Sequence, residues 1–398
     1  MRRTRQMVTG VAAMLALGLV TAGCNFSKTG AVAPDAPDMV TVLPSVGGQA
    51  TSVTIDPGTA SALTSLGVSL VATGQARQQG SVVNFPITSG YAEVHSRHDA
   101  KPGWIDGSLD HAGSGLDLMG VAATVHLTDF VVDPGNSVLT ATVNGKIGVP
   151  LLSLDGTKVT AMVNDVGQVV LAGTVAKLTQ TAAGALNQAF ATTAITAGMP
   201  LGQVEVVASG SPTTYNASKD RVTAIPSPRG TSTTLTVEPA VASTLASAGL
   251  GLTPTGSATA AGPGAVTFPI TSGFAALHSD RGFSPGFIVG TINHEGSGIT
   301  IGPAAPGGSA PSVSLSNFVV DPGDSVLTGT VNGKIGVPLF FLDGSKLQVQ
   351  PTGSGVTLDG TVAELTSVAA TALNKAFGTQ AFTPGLAIGT VHLVATGS

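Results

Sequence analysis

Two histidine positions recur at matched places along this chain, His95 with His278 and His111 with His294. Imidazole can ligate a metal, carry a proton or hold a ligand near neutral pH, so these four residues are the first candidates for chemistry. Period-2 alternation orients the second pair. In Trp104-Ile-Asp-Gly-Ser-Leu-Asp-His111 one face carries Ile105, Gly107, Leu109 and His111. In Phe287-Ile-Val-Gly-Thr-Ile-Asn-His294 the same face carries Ile288, Gly290, Ile292 and His294. Both histidines are in phase with the apolar face, at a strand end before a Gly-Ser-Gly turn, and a glycine on that face leaves room for something bulky. Two roles fit: a binding-site imidazole, or a rim histidine bonded to a turn carbonyl.

Tyr91 follows FPITSG in the first half, where the second half has Phe274. Tyr91 and His95 share a face of an extended segment but lie roughly 13 Å apart, so a Tyr–His partnership would have to run across strands, to His111. His126 and His392 point to polar faces and read as solvated. His98 has no counterpart and, three residues from His95, faces the other way, so no metal site is expected. The sequence lacks a G-x-S-x-G elbow, an H-E-x-x-H pair, a P-loop and a dinucleotide fingerprint, and no enzyme is expected.

Cys24 is the only cysteine, which excludes an intramolecular disulfide and a cysteine metal site. Its setting explains it. Met1 to Arg5 is basic, Met7 to Val20 is an apolar run of signal-peptide length, and Thr21-Ala22-Gly23 leads into the cysteine. The order resembles the lipobox of bacterial lipoproteins, which implies lipid attachment at Cys24, export, and anchoring to the membrane. No second apolar run is long enough to span a bilayer. Charged residues are 10 % of the chain, the net charge is −5, and no Lys/Arg cluster occurs, so no nucleic-acid partner is expected.

The elements that must position these residues come in two copies. FPITSG recurs at Phe85 and Phe268, FVVDPG at Phe130 and Phe318, and VNGKIGVPL at Val143 and Val331; GTVAKLT from Gly173 returns as GTVAELT from Gly360. The expected organisation is a signal peptide over 1–23, a disordered tether over 24–50, a β-rich domain over 51–210, a linker over 211–231 and a second β-rich domain over 232–398. Asn144-Gly145 and Asn332-Gly333 read as two-residue hairpin turns, and Asp133-Pro-Gly and Asp321-Pro-Gly as tight turns. A helix is expected from Pro57 with Asp56 as its cap, and another from about Thr181 to Phe190, whose counterpart has Thr366 as cap and Gly378 as stop. The fold class is all-β with minor helix: two tandem sandwich- or barrel-like domains of roughly eight strands, each with one or two short helices.

The order of His-x-Gly-Ser-Gly, LTDFVVDPG, LTATVNG, VPLLSLDG and LAGTVAKLT…AAGALNQAF resembles the HtaA-type domain of actinobacterial surface proteins, and related exported proteins with an FPITGG motif, over nearly all of each copy. The resemblance implies haem bound through a tyrosine, with a supporting histidine at His111 and His294. The family's Trp-Gly…Ser-Phe-Arg-x-Tyr segment is absent, which leaves Tyr91 as a positional stand-in. Three functions therefore compete: capture of haem or another small apolar ligand, a structural or adhesive envelope module without ligand, and carbohydrate binding around Trp104 and Phe287.

Overall fold

The computed structural model describes residues 38–43, 46–97, 99, 104–164, 168–209, 213–217, 219–220, 222–226, 228, 232–280, 286–305, 308–352 and 355–396. The signal peptide, Cys24 and His98 lie outside the described residues.

The first copy supplies β1 (Met39–Leu43), β2 (Gly47–Ile55), α1 (Pro57–Ser65), β3 (Ser69–Gly74), β4 (Arg77–Gln79), β5 (Val82–Pro86), β6 (Ser89–His95) and β7 (Ile105–Met119). It continues through β8 (Thr124–Asp133), β9 (Val138–Val143), β10 (Lys146–Asp155), β11 (Thr160–Val163), β12 (Val169–Leu178), α2 (Gln180–Ala189) and β13 (Pro200–Ser209). Two strands follow, β14 (Thr213–Asn216) and β15 (Val222–Pro226). The second copy opens with β16 (Ser232–Val237), α3 (Pro239–Ser247), β17 (Leu250–Gly256), β18 (Thr259–Gly262), β19 (Ala265–Pro269), β20 (Ser272–His278) and β21 (Ile288–Pro303). It closes with β22 (Val313–Asp321), β23 (Val326–Val331), β24 (Lys334–Asp343), β25 (Gln348–Thr352), β26 (Gly355–Leu365), α4 (Ser367–Phe377) and β27 (Ala387–Thr396).

These strands form two curled antiparallel sheets. The order β14-β1-β6-β7-β8-β9-β10-β12-β13-β2-β5-β4 in the first is matched by β15-β20-β21-β22-β23-β24-β26-β27-β16-β19-β18 in the second. Among the described residues the sheets hold 14 and 13 strands, more than the eight expected, because the edge strands β1, β14 and β15 and short ribbons such as β3, β4 and β11 join each copy's main strands. The asparagine-glycine turns are as their residues require: Asn144 and Gly145 have φ of 48° and 84°, the left-handed pair that a two-residue hairpin needs. Asp56 caps α1 by accepting from the Thr59 amide, and Thr179 and Thr366 cap α2 and α4 in the same way.

Two readings are corrected. Gly113-Ser114-Gly115 is no turn: β7 runs through it to Met119, with a register shift against β8 between His111 and Gly115. Gly113 takes φ of 70° and donates its amide to Asp129 Oδ1, so the extra residues form a bulge in a long strand. Nor are the segments flanking the first copy without structure. β1 lies within the expected tether, and β14 and β15 lie within the expected linker. β14 pairs with β1 and β15 with β20, so the connection is woven into the edges of both sheets.

Candidate functional site

His111 and His294 are fully buried, each on the inner wall of its sheet. The His111 Nδ1 lies 3.2 Å from the Phe130 carbonyl and its Nε2 2.7 Å from Thr51 Oγ1; His294 repeats this with Phe318 at 3.2 Å and Thr233 at 2.7 Å. A carbonyl can only accept, so Nδ1 carries the proton and the threonine hydroxyl donates to Nε2. Burial pushes both imidazoles down to about 4, which keeps them neutral. The edges of Phe85 and Phe130, or Phe268 and Phe318, close around this pair. Both ring nitrogens are thus engaged by the protein itself.

Tyr91 sits elsewhere. Its ring stacks on Phe274 of the second copy at a centroid distance of 5.5 Å, and its hydroxyl donates to Glu93. Around that stack lie Val40, Val42, Tyr215, Ala276 and Val289, so the matched aromatic position of each copy builds the contact between copies. The resemblance would have Tyr91 and His111 act on one iron, but neither has a free ligating atom aimed at the other. The residues present do not fit haem through that pair.

His95 and His278 also occupy a repeated arrangement, with partners that sequence reading missed. His95 Nδ1 bonds Asp38 at 2.7 Å, and Asp38 also accepts from Ser96 Oγ and the Arg97 amide. His278 Nδ1 bonds Asp220 at 2.6 Å, which accepts from Ser279 Oγ and the Asp280 amide. These aspartates lie in the stretches read as tether and linker, though Asp38-Met-Val-Thr and Asp220-Arg-Val-Thr form a repeat that could have revealed them. In the first copy Glu93 and Asp106 each lie 3.7 Å from His95 Nε2, at positions where the second copy has Ala276 and Val289. No group of three or more potential metal ligands was found among the described residues.

One space with room for a ligand is a cavity of about 390 Å³ inside the first copy. Its roof is α1 and α2, through Leu63, Leu66, Ala182 and Leu186, and its walls are aliphatic residues of the curled sheet, among them Leu116, Leu127, Leu139 and Leu152. Thr51, Thr59, His111 and Asn144 are among its few polar neighbours, and no Lys, Arg, Asp or Glu lines it. The equivalent space in the second copy is about 60 Å³. The repeat alignment explains the difference: Phe340 stands for Leu152, Phe382 for Ile195 and Val241 for Thr59, and all three line the smaller cavity. A second space of about 410 Å³ opens in the second copy beside Phe287, Leu327, Leu347 and Leu393.

Fold and site together define an all-β chain of two curled sheets whose equivalent inner spaces differ, wide in the first copy and nearly closed in the second. No family model matches the chain, and no curated protein matches it in sequence. Among solved structures it is similar to the C-terminal domain of HtaA from Corynebacterium glutamicum, at 12 % identity and a TM-score of 0.31, over 43 % of this chain and 98 % of that one.

Proposed function

We propose that this chain is a non-catalytic surface protein whose first copy binds an uncharged apolar molecule, while the equivalent inner space of the second copy is closed. The observation that carries this reading is the contrast between about 390 Å³ and about 60 Å³ at equivalent positions of two repeats. The larger volume lies in the range of small-molecule sites, roughly 300–1,000 Å³. Its wall is aliphatic and carries no ionisable group besides a neutral imidazole, so a charged ligand would be desolvated without compensation. The class that suits it is a single hydrocarbon chain or ring system with at most a hydroxyl or ester. An export signal and lipid attachment at Cys24 would hold such a binder at the outer face of a membrane.

The test is a titration of the chain with Nile red, an uncharged dye whose emission rises in apolar surroundings. Saturable enhancement, lost when Leu152→Phe and Ile195→Phe import the side chains of the second copy, supports the reading. A parent protein that gives no enhancement overturns it and leaves a structural or adhesive envelope module.

A further inference from the structure

The larger cavity reaches a part of its copy that the smaller one does not. Thr51, Phe85, His111 and Phe130 line the first, whereas their counterparts Thr233, Phe268, His294 and Phe318 do not line the second. In the second copy Phe340 takes the place of Leu152, and the space that remains borders Val241 and Leu245 of α3 and Leu373 of α4. The added volume of the first copy is therefore the part that meets the threonine–imidazole pair.

Three buried polar side chains border this cavity, Thr51, Thr59 and His111. Ser65 and Asn144 border it too but are exposed. Each of the three buried groups has already committed its proton. The Thr51 hydroxyl donates to His111 Nε2, His111 Nδ1 donates to the Phe130 carbonyl, and the Thr59 hydroxyl donates to the Pro200 carbonyl. What they leave for a ligand is acceptor lone pairs on the threonine oxygens, because a hydroxyl that donates once can still accept. An ester, ketone or ether oxygen accepts without donating, so burial beside these groups strips it of water and gives it no partner. A ligand hydroxyl brings the missing donor. Its bond to Thr51 Oγ1 would extend a chain that runs through His111 to the Phe130 carbonyl, in which each bond polarises the next. At roughly 30 Å³ for each water-sized group, a volume of about 390 Å³ holds about a dozen non-hydrogen atoms.

We propose that the first copy selects a monohydric aliphatic alcohol of that size, with Thr51 Oγ1 accepting a hydrogen bond from its hydroxyl and His111 holding Thr51 in place. This rests on the reading of the cavity as an apolar binding site. The chain loaded with Nile red is titrated with 2-dodecanol and with 2-dodecanone, which share a carbon skeleton and differ in whether the oxygen can donate. Nile red has no O–H or N–H, so it reports occupancy without itself supplying the donor. The alcohol should displace the dye at roughly tenfold lower concentration than the ketone. Thr51→Val should bring the two within about twofold of each other, and Thr51→Ser should keep the preference. Thr59→Val, which installs the second copy's residue, should leave the preference unchanged. The readout is a ratio, so a loss of stability in Thr51→Val, which leaves His111 Nε2 without its donor, acts on both compounds alike. Equal displacement by alcohol and ketone in the parent, or displacement by neither, overturns the proposal. A preference that survives Thr51→Val, or that disappears in Thr59→Val, overturns the role of Thr51. A parent that does not bind Nile red overturns the cavity reading first.

Discussion

At the scale of single residues, two kinds of buried titrating group oppose each other. His111 and His294 are held down to about 4 by burial, so the unfolded chain binds more protons between about 4 and the ordinary histidine value of about 6.5. Their contribution to stability is present above that window and is lost as pH falls through it. Asp110 and Glu93 behave in the opposite sense: burial raises both to about 7, against the hydrogen bonds that each accepts. Stability from these carboxyls is full below their unfolded values and is lost as pH rises toward 7. Asp110→Asn removes one ionisation while keeping an acceptor for the Asn293 amide, and its new amide can serve Asn293 Oδ1, which lacks a partner. The variant should gain on the parent by a few kcal/mol in denaturant unfolding at pH 8 and by little at pH 5; an equal difference at both pH values would contradict burial as the cause. The same scale predicts that haemin gives no Soret change dependent on His111 or Tyr91, read by comparing His111→Ala and Tyr91→Phe with the parent. The inward phase of the histidines was legible from alternation. Their role was not, because it is set by Thr51, 60 residues from His111 in sequence and invisible to any local pattern.

At the scale of elements, the hairpins and helix caps were legible, since asparagine-glycine pairs, Asp56, Thr179 and Thr366 act on residues beside them. The bulge in β7 was not: Gly-Ser-Gly serves a turn or a bulge equally, and the choice falls to Asp129 on the next strand and to β3, which pairs with the far half of β7. The cavity was equally hidden, because a volume is a property of facing walls, and Leu152 and Ile195 read as ordinary core residues. Comparing the copies shows what fills it. Leu152→Phe with Ile195→Phe should raise the thermal midpoint, since the second copy accommodates both rings on the same scaffold. Overpacking costs about 1–3 kcal/mol where no void exists, so a lowered midpoint would mean that the space is not there.

At the scale of the molecule, the two copies form one interlocked body. β14 and β15 tie the connection into both sheets, and Tyr215 of β14 meets the His278 ring edge-on at 5.0 Å. The bulges in β7 and β21 each receive an isoleucine from the other copy: a Cβ added to Gly113 would overlap Ile335, and one added to Gly296 would overlap Ile147. At the centre, Asn293 Nδ2 donates to Asp110 Oδ1 at 2.7 Å, flanked by Ser89 and Ser272, with Tyr91 stacked on Phe274. Asp110 and Asn293 are equivalent positions of the repeat, so the pair is nearly symmetric in shape but not in charge. Asn293→Asp would set two buried carboxyls against each other. Near pH 5 they can share a proton, and one cooperative unfolding transition should persist. Near pH 8 both must ionise or part, and an uncompensated buried charge costs on the order of 3–5 kcal/mol, enough to separate the copies into two calorimetric transitions. Adding Asp110→Asn to that variant exchanges the two side chains across the interface and should restore the single transition at pH 8. A variant that stays split after the exchange would show that the asparagine–aspartate pair does not hold the copies together, and would transfer that role to the Tyr91–Phe274 stack and the two isoleucines.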